Sequence, residues 1–311
     1  MWLDHPRYKP ARDRLIANLK GPAKYRFRKL EPVVFLCGGF ESQRRLLLRS
    51  FLLKIKPQPR VFFAEPIWEQ IASREELSAL EMESALADLA DVVIILVESP
   101  GTFAELGAFS LSDALRKKLL PIVDKQFDKA QSFISTGPLN WIDRESDFKP
   151  TVYVPFSRVL EAVNEIEERL GRLPKPHQTK VADLGSNPKQ LLFFLCDMVA
   201  VIQPATVKTV QYYVGQICQL AQGAALAVPT LLGLAKAMGL LRIDQIKCGF
   251  SAIPMYSAVE RDSLDRPFHH SYPIDLRRLR SDHVSVLLTI PEAKAAIAEV
   301  NAKHANRENG N

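Results

Sequence analysis

A chain of 311 residues, 47% hydrophobic and 24% charged, is long enough for two domains with cores of their own and too ordinary in composition to be disordered or fibrous. No apolar run reaches the ~18–20 residues that span a bilayer, and the charged stretch 1–20 lacks the apolar centre of a secretory signal, so a cytoplasmic protein with no membrane partner is expected. The formal charge of +6 is uneven: residues 1–30 hold nine Lys/Arg against two acids, whereas 31–180 come to −3 and 181–311 to +2.

In chain order, residues 1–30 read as a basic arm with a short helix over 12–20. Residues 7–29, with Arg277, Arg278 and Arg280, are the candidate nucleic-acid contacts. Next come a compact apolar strand over 32–37, stopped by Gly38-Gly39, and a helix over 42–55. That helix carries Leu46, Leu47, Phe51 and Leu52 on one side and Arg44, Arg45 and Arg49 on the other. A strand over 61–63, a helix over 75–89, a strand over 91–97, a helix over 102–115 and a strand over 119–123 follow. A loop or short helix over 132–141, a strand over 152–154 and a helix over 158–170 complete this part. Strands alternating with helices at this pace predict a doubly wound, Rossmann-like parallel α/β sheet over 31–172. Residues 173–187, crowded with Pro and polar residues, read as a linker. Beyond it, helices over 189–202, 206–221 and 229–238 precede a hairpin turning near Cys248-Gly249, the order of a winged helix-turn-helix. A smaller winged-helix-like α+β domain is therefore expected over 188–311, ending in a helix from 292. Its recognition helix would be poor in charge, with only Lys236.

The four cysteines lie far apart and the six histidines show no zinc spacing, so reduced thiols and no metal site are expected; His269-His270 reads as a loop dipeptide. The chemistry concentrates where the apolar run 91–97 stops at Ser99-Pro100-Gly101. A helix then begins, with Glu105 in its predicted first turn. A carboxylate there often serves only the helix dipole, for roughly 0.3–1 kcal/mol. Pro100 and Gly101, however, bring the backbone close to whatever lies above the strand, Thr102 caps the helix or offers a hydroxyl, and Gly107 leaves room. Other groups should meet at the same sheet edge. Cys37, Gly38 and Gly39 close the first strand, and the two glycines leave N–H groups for a phosphate or sugar oxygen. Glu83, Asp88 and Asp91 flank the 91–97 strand, and 132–140, with Asn140, could close over the pocket. Neither Gly-x-Gly-x-x-Gly nor a P-loop is present.

The run Asp91-x6-Glu98-Ser-Pro-Gly-Thr-Phe-Ala-Glu-Leu-Gly-Ala-Phe109 is similar to the signature of the nucleoside deoxyribosyltransferase-like superfamily, which implies a catalytic carboxylate at Glu105. With Phe35-Leu-Cys-Gly-Gly39, Leu115-Arg-Lys-Lys-Leu119 and Ser132-Phe-Ile-Ser-Thr-Gly-Pro138 added, residues 30–142 resemble the toxin-like effectors encoded beside retron reverse transcriptases. That resemblance implies restraint by a complex of reverse transcriptase and its RNA-linked DNA. It also implies N-glycosidase action when a phage disturbs the complex, with NAD or a related nucleotide as substrate and no cofactor. Glu105 would sit beneath the anomeric carbon, bonding to it or stabilising its charge. Glu98, Ser99, Gly101 and Thr102 would hold sugar hydroxyls or the leaving base, and Gly38 and Gly39 would take a phosphate. Glu98-Ser99 departs from the Asp that simpler deoxyribosyltransferases use for the base, so the substrate is not implied. A salvage nucleoside 2-deoxyribosyltransferase or nucleotide N-glycosidase and a nucleotide-sensing DNA-binding regulator are the alternatives; the oligomeric state stays open.

Overall fold

The computed structural model describes residues 2–20, 26–27, 31–56, 58–63, 87, 89–174, 178–218, 224–248, 251–259 and 275–308. The chain divides into two units, 30–175 and 1–29 with 176–311.

The first unit is built on five parallel strands, Val33–Cys37, Arg60–Phe62, Val92–Leu96, Leu119–Asp124 and Val152–Val154. Numbered along the chain, they lie in the order second, first, third, fourth, fifth. The first and third strands, Val-Val-Phe-Leu-Cys and Val-Val-Ile-Ile-Leu, are buried at every position. Continuous apolar, β-branched sequence is what a parallel strand covered on both faces requires. Alternate residues Val34, Leu36, Ile94, Leu120 and Ile122 join Leu48, Leu52 and Ile166 in one core cluster. The helix Pro100–Leu111 packs on the third and fourth strands. At the amino ends, the Asp91 carboxylate accepts the N–H of Val33 at 2.8 Å while its own N–H donates to the Val33 carbonyl at 2.8 Å.

The helix Gln43–Leu52, capped by Ser42, buries a different face from the one expected. Arg45, Leu48 and Leu52 point inward, and Leu46 and Leu47 are exposed. The reason is Arg45, whose guanidinium lies 4.5 Å from the Phe63 ring centre. A long aliphatic stem under a stacked guanidinium fills an inward position that its charge assigns to solvent.

In the second unit, the helices Pro188–Ile202, Val207–Ile217 and Ala224–Ala237 are followed by the antiparallel hairpin Leu241–Cys248/Ser251–Ala258. The helices Leu276–Leu287 and Pro291–Glu308 complete it; the first of these was not foreseen. The separate basic arm is corrected. Its helix Lys9–Lys20 buries Ala11, Arg12, Leu15 and Leu19. Trp2, Tyr8 and Ala11 share a core cluster with Met255, Leu287 and Ile297. An amphipathic stripe at helical spacing overrides the high local charge. From residue 179 on, the 173–187 linker is corrected as well. Thr179–Lys180 pairs antiparallel with Arg26–Phe27, and Val181 and Leu184 are buried in a following 3-10 turn. Among the described residues, no helix is long and apolar enough to cross a membrane.

Tyr8 links three elements of this core. Its hydroxyl lies 2.6 Å from that of Tyr213 and within 3.3 Å of the His283 ring. Burial, helped by the nearby Arg280 charge, pushes the His283 pKa down from 6.5 to about 3. His283 is then neutral when folded and charged when unfolded below pH 6.5, so the unfolded chain binds the extra proton. The stability it contributes is complete above about pH 6.5 and falls toward pH 3 by about 1.4 kcal/mol per pH unit. His283→Asn is expected to flatten the pH dependence of thermal unfolding between pH 6.5 and 4; an unchanged slope would count against a buried neutral ring.

Candidate active site

The strand order reverses between the second and third strands, on either side of the first. In open parallel sheets, ligands bind in the crevice that such a reversal opens beyond the carboxyl ends. Here the two loops beside the reversal line an open cleft of about 430 Å³ with Gly39, Phe40, Ser42, Gln43, Arg44, Glu98 and Ser99. That volume suits a small polar molecule.

The helix Pro100–Leu111 starts at the third strand's loop, with Ser99 as N-cap and Pro100 in the first turn. Thr102 closes the capping box. Its hydroxyl accepts the N–H groups of Glu98 at 3.0 Å and Ser99 at 2.9 Å and donates to the Ser99 carbonyl at 2.8 Å. A hydroxyl has one proton and two lone pairs, so nothing remains for a sugar. Thr102, 1% exposed, is a cap and not a ligand. Thr102→Val is expected to cost about 1–2 kcal/mol in thermal unfolding.

This early start moves Glu105 out of the first turn, where there is no acid. Dipole stabilisation fades within that turn and so does not account for Glu105. Glu105 is half-buried, with Oε2 shielded from solvent. It lies three residues after Thr102 and four before Phe109, on the flank of the buried stripe Thr102, Leu106, Phe109. A Cβ on Gly107 would meet nothing within 4 Å, so open space lies beside that turn. Glu105 stands about 9 Å along the helix axis from Ser99 at the cleft.

The glycine loop departs from expectation. The Gly39 N–H is not left open for a phosphate: it donates to Glu98 Oε1 at 3.0 Å. Arg44 donates to Glu98 Oε2 at 2.9 Å, and its Nε donates to the Phe156 carbonyl at 3.0 Å. Gly38 is a packing glycine, since a Cβ there would lie 2.8 Å from Arg45 Cδ. Cys37 is buried at the strand end, and Gly101 is exposed in the first helical turn. Asp91 is corrected outright. It joins the amino ends of two strands, about 16 Å from the carboxyl edge at five residues' distance. Glu83, Asp88 and His269-His270 lie outside the described residues.

The segment 132–140 is helical, with a π-turn Ser135–Leu139 leading into the helix Asn140–Glu145. It packs against the helix Pro100–Leu111. Asn140 is exposed and its Nδ2 donates to the Thr136 carbonyl at 3.4 Å. The segment is clamped by Arg116, which lies 3.9 Å from the Trp141 ring centre and 2.8 Å from Glu145. Hydrogen bonds from Arg116 and then Trp141 hold the Glu145 pKa below the usual carboxylate range. Sequence reasoning missed this clamp and the cleft residues Phe40, Ser42, Gln43 and Arg44. The hydroxyl of Ser42 just before an apolar helix was the available signal.

Of the candidate nucleic-acid contacts, Arg280 turns inward. It donates to the Val201 carbonyl at 2.9 Å and also to that of Gln203, and burial lowers its pKa to about 10. Arg12 is buried, with its guanidinium 5.2 Å from the Tyr212 ring centre. Arg7, Lys9, Arg14, Lys20, Arg277 and Arg278 are exposed.

A parallel α/β unit with a carboxylate-bearing helix beside its switch-point crevice, joined to a unit of helices and one hairpin, defines the class of this protein. The family described as STM3845 retron effector protein matches residues 41–242, and the chain belongs to it. Two Escherichia coli proteins, from retrons Ec86 and Ec73, bear names that pair ribosyltransferase with DNA-binding protein. The chain is 38% identical to the first over 129 residues, 40% of this chain and 42% of that one. It is 39% identical to the second over 121 residues, 36% and 38% of the two. The matched stretch thus spans about two fifths of the length of these curated relatives.

Proposed function

We propose that this retron effector is an antiphage toxin of the glycosyl-transfer type, an N-glycosidase that cleaves the N-glycosidic bond of NAD or a related nucleotide at Glu105. The single observation that carries it is the place of Glu105: half-buried, beyond the reach of the helix dipole, on the helix that begins at the switch-point cleft. The relatives' ribosyltransferase names support the same chemistry.

Cleavage sends the C–N bond pair to the departing base and leaves positive charge on the anomeric carbon. Glu105 stabilises that charge or bonds to the carbon, and water then adds a hydroxyl and yields a proton. Nicotinamide is cationic while glycosylated and leaves neutral, so no proton donor is needed and one carboxylate suffices. This favours NAD over a purine nucleoside.

In this reading the sheet is doubly wound, the second unit is winged-helix-like, and the protein acts in the cytoplasm. A complex of reverse transcriptase and RNA-linked DNA restrains it until infection. The exposed Arg7, Lys9, Arg14, Lys20, Arg277 and Arg278 are the candidates for meeting nucleic acid. The relatives' DNA-binding names favour a second reading, a nucleotide-sensing regulator.

The test incubates the purified full chain with NAD and with a panel of deoxynucleosides and follows free nicotinamide or base by chromatography. Release from NAD is expected. No release from any substrate, beside sequence-specific binding of duplex DNA, would favour the regulator.

A further inference from the structure

We infer that Glu98 is an internal anion that keeps phosphate off the Gly38-Gly39 loop, so that the cleft receives a neutral, hydroxyl-bearing part of the substrate. This rests on the reading of the unit as a glycosyl-transfer site and adds which end of the substrate faces which loop.

The turn after the first strand of an α/β sheet is where backbone N–H groups and a following helix ordinarily receive phosphate. In this chain a carboxylate of the protein already takes one of those donors, the Gly39 N–H. Glu98 reaches across from the third strand's loop. One oxygen takes the Gly39 N–H at 3.0 Å, and the other takes Arg44 at 2.9 Å. The Glu98 side chain is 6% exposed, so its carboxylate is shielded, whereas the Arg44 side chain is 45% exposed and faces water. Arg44 is held in turn through its Nε on the Phe156 carbonyl and its guanidinium 5.2 Å from the Phe156 ring centre. It cannot swing to another anion without leaving those partners.

Among the described residues, Arg44 and Glu98 are the two charged side chains lining the cleft, and they neutralise each other. A phosphate on the glycine loop would lie within hydrogen-bond range of the Glu98 oxygens and would meet a like charge in place of a free cation. A sugar hydroxyl meets no such penalty and can donate to a remaining lone pair of the carboxylate. Any phosphate of the substrate is therefore directed away from this loop, and the sugar or base end faces it.

Glu98→Gln tests this, because the amide oxygen can still accept the Gly39 N–H while the negative charge is gone and Arg44 loses its counter-ion. Inorganic pyrophosphate is titrated calorimetrically into the full-length wild type, Arg44→Ala, Glu98→Gln, and Glu98→Gln combined with Arg44→Ala. The single variant is expected to bind at least about tenfold tighter than wild type, and the double variant to lose that gain. Equal binding by wild type and Glu98→Gln would overturn the inference, as would wild-type binding that Arg44→Ala abolishes. Should Glu98→Gln fail to fold, as judged by its circular dichroism and melting curve, Glu98→Ala removes the same charge, and the wild-type arm still decides. The readout is independent of catalysis. A chain that releases no base yet gains pyrophosphate binding on Glu98→Gln would refute the proposed activity and sustain this assignment.

Discussion

Replacing Glu105 with Gln is expected to lower base release by at least about a thousandfold. The same change should leave thermal unfolding within about 0.5 kcal/mol of wild type. The two halves of that expectation have separate causes. The amide keeps the shape and polarity of the carboxylate, so the packing beside Thr102 and Phe109 survives. It carries no charge to set against the developing oxocarbenium ion, and it is a poor nucleophile. Were Glu105 a dipole partner of its helix, the order would reverse, with stability lost and chemistry untouched. Its position as the sixth helical residue argues against that role. Steady-state base release and melting curves on the same preparations separate the two.

The largest structural effect is expected at Tyr8, where Tyr8→Ala should cost about 3–5 kcal/mol. The side chain is fully buried among Trp2, Met255 and Leu287, and its hydroxyl sits 2.6 Å from that of Tyr213. Alanine leaves a cavity and a buried Tyr213 hydroxyl without that partner. Tyr8→Phe keeps the ring and removes only the hydroxyl, for about 1–3 kcal/mol. Urea unfolding followed by amide exchange should show protection lost across 176–311, with the strands of 30–175 retained. Uniform loss in both units would mean that they unfold as one. Unchanged protection in 176–311 would mean that the N-terminal helix is dispensable to that core.

Much of the sheet was legible because buried parallel strands are written as unbroken apolar runs, as in Val33–Cys37 and Val92–Leu96. The hairpin after three helices was legible for a different reason, as two mixed apolar and polar runs, Leu241–Cys248 and Ser251–Ala258, close together in the chain. What misled were charged residues doing apolar work. Arg45 fills an inward position through its stem, and Arg12 and Arg280 are folded into the second unit, so a count of charges pictured a wholly solvated arm and placed Arg280 at the surface. The helix start was misplaced because Pro100-Gly101 reads as a turn, although Pro suits the first helical turn. That difference of two residues removed the dipole explanation for Glu105. In the candidate site, Glu98 stood out in the sequence beside Ser99, but its partners did not. The link from Glu98 to Gly39 and Arg44 joins positions more than fifty residues apart, and no local pattern encodes it. Asp91 was misread for the opposite reason: next to a strand it looks like part of the same site, yet it stands at the other end of that strand.

The most direct test of the account is a single-turnover measurement on NAD with the full-length wild type and Glu105→Gln in enzyme excess, with nicotinamide quantified over time. A single exponential release is expected from the wild type and none above the uncatalysed background from Glu105→Gln, with coincident melting curves. Equal release by the two proteins, or release from neither, would contradict it.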